Sequence, residues 1–306
     1  MRTVISDIGA RYGTKQVLEG ISFTLGPGEI AGLVGPNGHG KTTLMKRMLD
    51  LMPGTGSATF DGSPYSALET PQRTVGTLLS TEGFHPGRSA MNHLRMVGAV
   101  AGISARQAQG VLDRVGLGDY AKASPSSYSM GMKQRLGLAA ALMCEPRLLI
   151  LDEPTNGLDM DGAIWFRKTI RSLASEGRTI LLSTHILAEL EKVADRVLII
   201  HTGRLRADCP MDEIRTLNRK PVVIAIVERA EQFASILRTE YGAAVLTAAS
   251  TLTISGLTAP EVGALAHKFG HAVSELGSVH PTLEDSYASI VGLDHTGKLQ
   301  EQAAQA

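Results

Sequence analysis

Eight consecutive residues, Gly35-Pro36-Asn37-Gly38-His39-Gly40-Lys41-Thr42, fit the pattern G-x-x-x-x-G-K-S/T, a spacing that builds a phosphate site. The glycines let the backbone curl so that N–H groups converge on an anion. Lys41 adds a cation for the outer phosphates, and the Thr42 hydroxyl supplies an oxygen for Mg2+. His39 contributes its backbone N–H, and its side chain is assigned no catalytic role. An ordinary glycine-rich turn would lack the flanking context, which is present: an apolar run, Ile30 to Val34, before the loop and a helix-compatible stretch, Thr43 to Leu49, after it. The loop from Gly35 through Thr43 is therefore read as a nucleotide contact. A second apolar run, Leu148 to Leu151, ends in two acids, Asp152 and Glu153. Ligands of parallel sheets sit at the carboxyl ends of strands, so Asp152 is expected to reach Mg2+ and Glu153 to polarise an attacking water. A third run ends in Ser183-Thr184-His185, which brings an imidazole to the same rim, where it can contact the γ-phosphate and hold the water. Taken alone, the acids read as a charged turn and the histidine as a surface residue. Their shared setting with the phosphate loop reverses that reading.

These groups need strands to carry them. Val4 to Ile8, Ile21 to Leu25 and Ile30 to Val34, with a Gly26-Pro27-Gly28 turn, predict an antiparallel opening. From Ser89 to about Cys144 the pattern is helical, with Ser104 and Gln107 spaced as a capping box and Gly116 placed to end that helix. Leu148 to Leu151 and Thr179 to Leu182 read as buried parallel strands around a helix near Ile164 to Leu173, a β-α-β unit. The pattern breaks near Pro210 to Pro221. Beyond it come strand (Val222 to Val227), helix (Ala230 to Tyr241), strand (Ala244 to Ala248), strand (Thr251 to Ser255), helix (Pro260 to Phe269) and strand (Ala272 to Leu276). That order matches the ferredoxin-like unit. An amphipathic piece, Leu283 to Val291, precedes a polar tail expected to be disordered.

The chain has 306 residues, of which 43% are apolar. Against a usual domain of about 150 residues this predicts two domains with real cores. Thirty basic residues balance thirty acidic ones, so no overall field draws the chain to nucleic acid, which is not expected as a partner. The run Leu136 to Cys144 is far shorter than the roughly 18 to 20 residues of a membrane span. Met1 through Asp7 lacks the pattern of a secretory leader, so a cytoplasmic location is expected. Cys144 and Cys209 lack metal-ligand spacing and read as free buried thiols.

With the phosphate loop, Asp152-Glu153-Pro154, Asn156-Gly157-Leu158-Asp159 and His185 in place, the sequence resembles the nucleotide-binding subunit of an ATP-binding cassette (ABC) transporter over roughly residues 2 to 212. The resemblance implies an α/β cassette of the P-loop NTPase class over 1–212: a parallel core sheet, an antiparallel β subdomain and a helical insertion at about 85–145. A linker (213–220), a small α+β ferredoxin-like domain (221–292) and the tail (293–306) follow. In the family a segment opening a helix, usually Leu-Ser-Gly-Gly-Gln, contacts the γ-phosphate of ATP held by the partner subunit. Here it is similar to Tyr128-Ser129-Met130-Gly131-Met132, which retains Ser129 and Gly131. Ser129 offers a hydroxyl, Gly131 permits close approach, and the helix beyond favours an anion. The resemblance further implies a homodimer around two Mg-ATP, Asp159 crossing its interface and Tyr12 stacking on adenine. It also implies an integral membrane transport subunit docked on residues 79 to 100, which holds the protein at the inner face of the membrane.

The family's Mg2+-coordinating glutamine falls on Ser80, whose shorter side chain leaves water or Glu82 to substitute. Slower hydrolysis or looser coupling is the expected result. Leu79 to Pro86, Tyr128 to Arg135 and Pro281 to Asp285 are similar to the bacterial drug, bacitracin and lantibiotic export branch, which implies export of an antibiotic or other amphiphile. The rival from another class is an ATP-binding regulatory or scaffold protein with impaired hydrolysis. A small-molecule kinase on the same loop leaves Tyr128 to Met132 and Asn156 to Asp159 unexplained.

Overall fold

The N-terminal apolar runs continue as strands beyond their most hydrophobic stretches, because alternate residues face a core and the others face solvent. Strand β1 (Thr3–Tyr12) pairs antiparallel with β2 (Lys15–Leu25). After β3 (Ile30–Val34) and helix α1 (Lys41–Met48), β4 (Thr55–Phe60) and β5 (Ser63–Pro64) complete a four-stranded sheet in the order β2-β1-β4-β5. The computed structural model describes residues 1–79, 83–214, 222–279 and 283–292. The chain forms two compact units, Met1–Met211 and Asp212–Ala306.

All five residues of β3 are buried, as a strand covered on both faces requires. It lies inside a six-stranded sheet with β6 (Val75–Leu78), β7 (Leu148–Leu151), β8 (Thr179–Thr184), β9 (Arg196–His201) and β10 (Arg204–Pro210), ordered β10-β9-β3-β8-β7-β6. Five of these strands are parallel, and the edge strand β10 runs antiparallel to β9. Parallel alignment puts the carboxyl ends of β3, β7 and β8 on one rim, directly before Gly35, Asp152 and His185. One core under both sheets gathers Ile5, Leu25, Leu33, Met45, Ile150 and Leu198.

The connections are helical: α2 (Pro71–Thr74), α3 (Ala90–Ala99), α4 (Ala105–Arg114), α5 (Met130–Leu142), α6 (Met160–Ser175), α7 (Leu187–Leu190) and α8 (Met211–Ile214). Helices α3, α4 and α5 share a core that includes Leu94, Leu112, Tyr128 and Leu136. The expected capping box is present: Ser104 Oγ accepts from Gln107 N at 3.3 Å, and Gln107 Oε1 accepts from Ser104 N at 2.9 Å. Ser104→Ala should lower the stability of this unit by about 1 kcal/mol, read as a shifted thermal unfolding midpoint. The helix expected near Ile164 to Leu173 begins earlier because Asp159 caps it, its Oδ1 accepting from Gly162 N at 2.7 Å.

The second unit runs β11 (Val222–Val227), α9 (Ala230–Tyr241), β12 (Ala244–Ala248), β13 (Thr251–Ser255), α10 (Ala259–Lys268), β14 (Val273–Val279) and α11 (Leu283–Val291). Its sheet is antiparallel, in the order β12-β13-β11-β14. Val223, Ala225 and Val227 alternate inward against Phe233, Leu237 and Val262 from the helices. Strand β14 extends past the expected Leu276 because Val279 still pairs with Val222. Of the expected linker, residues 213 and 214 lie in α8 and the rest lies outside the described residues, as does the tail from 293. Among the described residues no helix is long and apolar enough to cross a membrane.

Candidate functional site

The loop between β3 and α1 turns on Gly40, whose φ of +104 lies where an L side chain is rarely found. A Cβ there would meet Leu18 Cδ2 at 2.5 Å and Val17 O at 3.2 Å, so a side chain has neither the conformation nor the space. His39 N donates to Pro36 O at 3.3 Å, and Leu44 N to Gly40 O at 2.8 Å, which starts α1 under the loop. The early N–H groups of α1 thus keep their positive ends toward the loop. The His39 side chain faces elsewhere: its Nδ1 accepts from Thr202 N at 3.1 Å, and its ring stands edge-on to His201, 4.7 Å between centroids. Burial and then the charge of Lys41 push the His39 imidazole below its usual range. Its side chain acts as a neutral acceptor tethering the loop to the β9–β10 turn.

Lys41 is buried and donates to Gly35 O at 2.6 Å and Pro36 O at 3.4 Å, while its Nζ lies 3.3 Å from Glu153 Oε1. Thr42 Oγ1 donates to Asp152 Oδ2. The Thr42 hydroxyl and Asp152 carboxylate are both hard oxygen donors. Among the described residues no group of three or more His, Cys, Asp or Glu is placed to cage a metal. Two protein oxygens beside a phosphate loop fit Mg2+, which takes few protein ligands and completes its shell from phosphate and water.

Glu153 follows with φ +47, a left-handed backbone that is uncommon for a non-glycine residue and clusters at functional turns. His185 Nδ1 lies 2.8 Å from Glu153 Oε2. Because a carboxylate only accepts, Nδ1 carries the proton and Nε2 is left as the outward nitrogen. The Thr184 hydroxyl accepts from Ile186 N at 3.0 Å and closes the turn that presents His185. Glu153 Oε1 is buried and, among the described residues, receives no hydrogen bond, only the charge of Lys41. A buried carboxylate oxygen with an unused lone pair can take a proton from water.

A cavity of about 320 Å³ unites most of the expected residues: Tyr12, Asn37, Gly38, Gly40, Lys41, Thr42, Thr43 and Glu153 line it, together with Lys15 and Val17. Gly35 and Pro36 offer their carbonyls to Lys41 behind it, and Asp152 and His185 join through Thr42 and Glu153. Tyr12 is 54% exposed, so an aromatic face is available to a planar ligand. Ser129, Gly131 and Asp159 are not part of this cavity. They line a second concavity with Met130, Arg135, Gly157 and Leu158. Ser129 Oγ accepts from Met132 N at 3.2 Å as the cap of α5 and keeps its own hydrogen to donate. Ser80 and Glu82 lie outside the described residues.

Two residues escaped the sequence reading. Ser183, wholly buried, bonds both acids: Oγ donates to Asp152 Oδ1 at 2.5 Å and accepts from Glu153 N at 2.8 Å. Gln134 Nε2 donates to Asn156 O at 3.1 Å and Glu153 O at 3.5 Å, tying α5 to the turn after β7. The available signals were slight: Ser183 stands two places before His185 at a strand end, and Gln134 sits one helical turn after Met130.

The model of the family described as ABC transporter matches residues 18–156. The lantibiotic transport ATP-binding protein SrtF of Streptococcus pyogenes is 38% identical over 202 residues, 66% of this chain and 87% of that protein. The bacitracin transport ATP-binding protein BcrA of Enterococcus faecalis is 34% identical over 290 residues, 92% of this chain and 94% of that one. A solved structure described as the ATP binding subunit of an ABC transporter superposes with a TM-score of 0.65 at 30% identity, covering 71% of this chain and 93% of that chain.

Proposed function

The chain belongs to the ABC transporter family as an ATP-binding subunit with ATPase activity, and on that premise we propose how its residues divide the work. The N–H groups of the loop from Gly35 to Thr43, including those of Asn37, Gly38 and His39, and the Lys41 ammonium hold the phosphates. Tyr12 stacks on adenine. Thr42 and Asp152 hold Mg2+; when bound, Mg2+ neutralises charge on the phosphates. Glu153 takes the proton of the attacking water, and His185 orients Glu153 and meets the γ-phosphate. The observation that carries this reading is the convergence on one carboxylate: Glu153 holds Lys41 and His185 while its neighbour Asp152 holds Thr42.

Ser129, Gly131 and Asp159 complete the site of a second copy in a homodimer around two ATP. Their separate concavity supports this, and so does Gly131. A Cβ at Gly131 would meet Leu158 Cδ2 at 3.5 Å and Ser129 Oγ at 3.9 Å, both ordinary contacts, so among the described residues nothing demands glycine there. The demand then comes from outside, from a phosphate approaching the N-terminus of α5. Gly131→Ala should leave the melting temperature of the free chain unchanged or slightly raised while weakening ATP-dependent association, readable by calorimetry and sedimentation of the same sample at fixed ATP.

Closure of the dimer drives a separate integral membrane subunit that docks on residues 79–100, which places the protein at the inner face of the membrane. The relatives named for lantibiotic and bacitracin transport support an antibiotic or related amphiphile as cargo, and export is the direction proposed. The strand order of the second unit, read with its alternating helices, supports a ferredoxin-like accessory domain over 221–292. The test is the molar mass of Glu153→Gln protein by light scattering with and without ATP, beside Glu153→Gln, Gly131→Asp. An ATP-dependent dimer lost in the second protein is expected. A monomer throughout, despite measured ATP binding, would favour the scaffold reading.

A further inference from the structure

We propose that Ser183 is the positioning residue that sets the orientation of both acids at once. Its hydroxyl has one hydrogen to give, and it gives it to Asp152 Oδ1 at 2.5 Å; its lone pair takes the backbone N–H of Glu153 at 2.8 Å. Two consequences follow from those bonds. With Oδ1 engaged, Oδ2 is the oxygen that Asp152 turns to Thr42, so the carboxylate meets a cation by one defined edge. With its N–H held, Glu153 stays at φ +47, the conformation from which its side chain reaches Lys41 and His185.

Strand β8 supplies the rigidity. Ser183 is fully buried, and the neighbouring strands pair on both sides, Leu33 with Ser183 and Leu151 with Leu182. The hydroxyl is therefore fixed in place before any ligand arrives. Removing it leaves a main-chain N–H without its acceptor and Asp152 free to rotate, and small misplacements of reacting groups carry large rate costs. The inference rests on the roles proposed for Asp152 and Glu153.

The experiment compares wild type, Ser183→Ala and Ser183→Thr as full chains. Three quantities are read: turnover, nucleotide affinity in EDTA, and Mn2+ affinity in the presence of ATP, the last by electron paramagnetic resonance of free Mn2+. Ser183→Ala should lower kcat by about 10- to 100-fold and weaken Mn2+ binding several-fold, with nucleotide affinity in EDTA unchanged. Ser183→Thr, which restores the hydroxyl, should recover most of both losses. Unchanged kcat and Mn2+ affinity in Ser183→Ala, in an assay where Glu153→Gln abolishes turnover, overturns the proposal. So does a loss in all three quantities that tracks a lower melting temperature and is not recovered by threonine, since that marks Ser183 as packing alone. Retained turnover in Glu153→Gln overturns the reading of the site itself, and the positioning role with it.

Discussion

Glu153→Gln is expected to lower ATP turnover by about 10²- to 10⁴-fold, the usual contribution of a general base, while ATP binding is kept. Glutamine has nearly the same shape, so its side-chain oxygen can still accept from His185 Nδ1, and the backbone N–H still reaches Ser183. What disappears is the proton affinity of a buried oxygen that has no hydrogen bond of its own among the described residues. The charge opposite Lys41 disappears as well. Among the described residues that ammonium is then held by the carbonyls of Gly35 and Pro36 alone, and its attraction to phosphate rises. ATP affinity should therefore be equal to wild type or tighter. Phosphate release under saturating ATP, beside equilibrium binding of a fluorescent ATP analogue, checks both halves. Turnover within a few-fold of wild type would remove Glu153 from the role of base.

The parts of this site that rest on local spacing were legible in the sequence. The loop from Gly35 to Thr42 declares itself because each position answers a backbone or charge requirement of a phosphate. The apolar runs before Asp152 and His185 mark strands buried on both faces, and the parallel pairing of β7 with β8 brings their ends to one rim. Caps were legible for the same reason: Ser104 with Gln107 is a four-residue event. Boundaries failed where pairing decides them. Strands β1 and β2 extend well beyond their apolar centres since Tyr12 pairs with Lys15 across a tight turn.

Contacts set by tertiary geometry were not legible. No pattern announces that Ser183 sits between Asp152 and Glu153, because those groups are 30 or more residues away in sequence. The left-handed backbone of Glu153 has no signature either, since the residue is not glycine. Asp159 shows a further limit. The resemblance assigns it to a dimer interface, while within the chain its Oδ1 caps α6. The two uses are compatible, because a carboxylate has a second oxygen and further lone pairs. The cap fixes the side chain that a partner would then meet.

Lys41→Ala should weaken ATP binding by about 10- to 150-fold, the equivalent of about 1.5 to 3 kcal/mol for a hydrogen bond to a charged group. Burial makes the effect this large: Lys41 is 5% exposed, which keeps water from screening its charge. Surface cations such as Lys15 should matter less. The same substitution leaves Glu153 with its hydrogen bond to His185 Nδ1 but no Lys or Arg ion pair among the described residues, so part of any loss in thermal stability belongs to an uncompensated carboxylate. A double-mutant cycle separates the two effects. Adding Glu153→Gln to Lys41→Ala should restore much of the lost melting temperature, because the unpaired charge is gone. It should restore none of the ATP affinity, because the phosphate cation is still missing. Recovery of affinity in the double variant would mean that Lys41 serves chiefly to neutralise Glu153, and that the backbone N–H groups of the loop hold the phosphates without it.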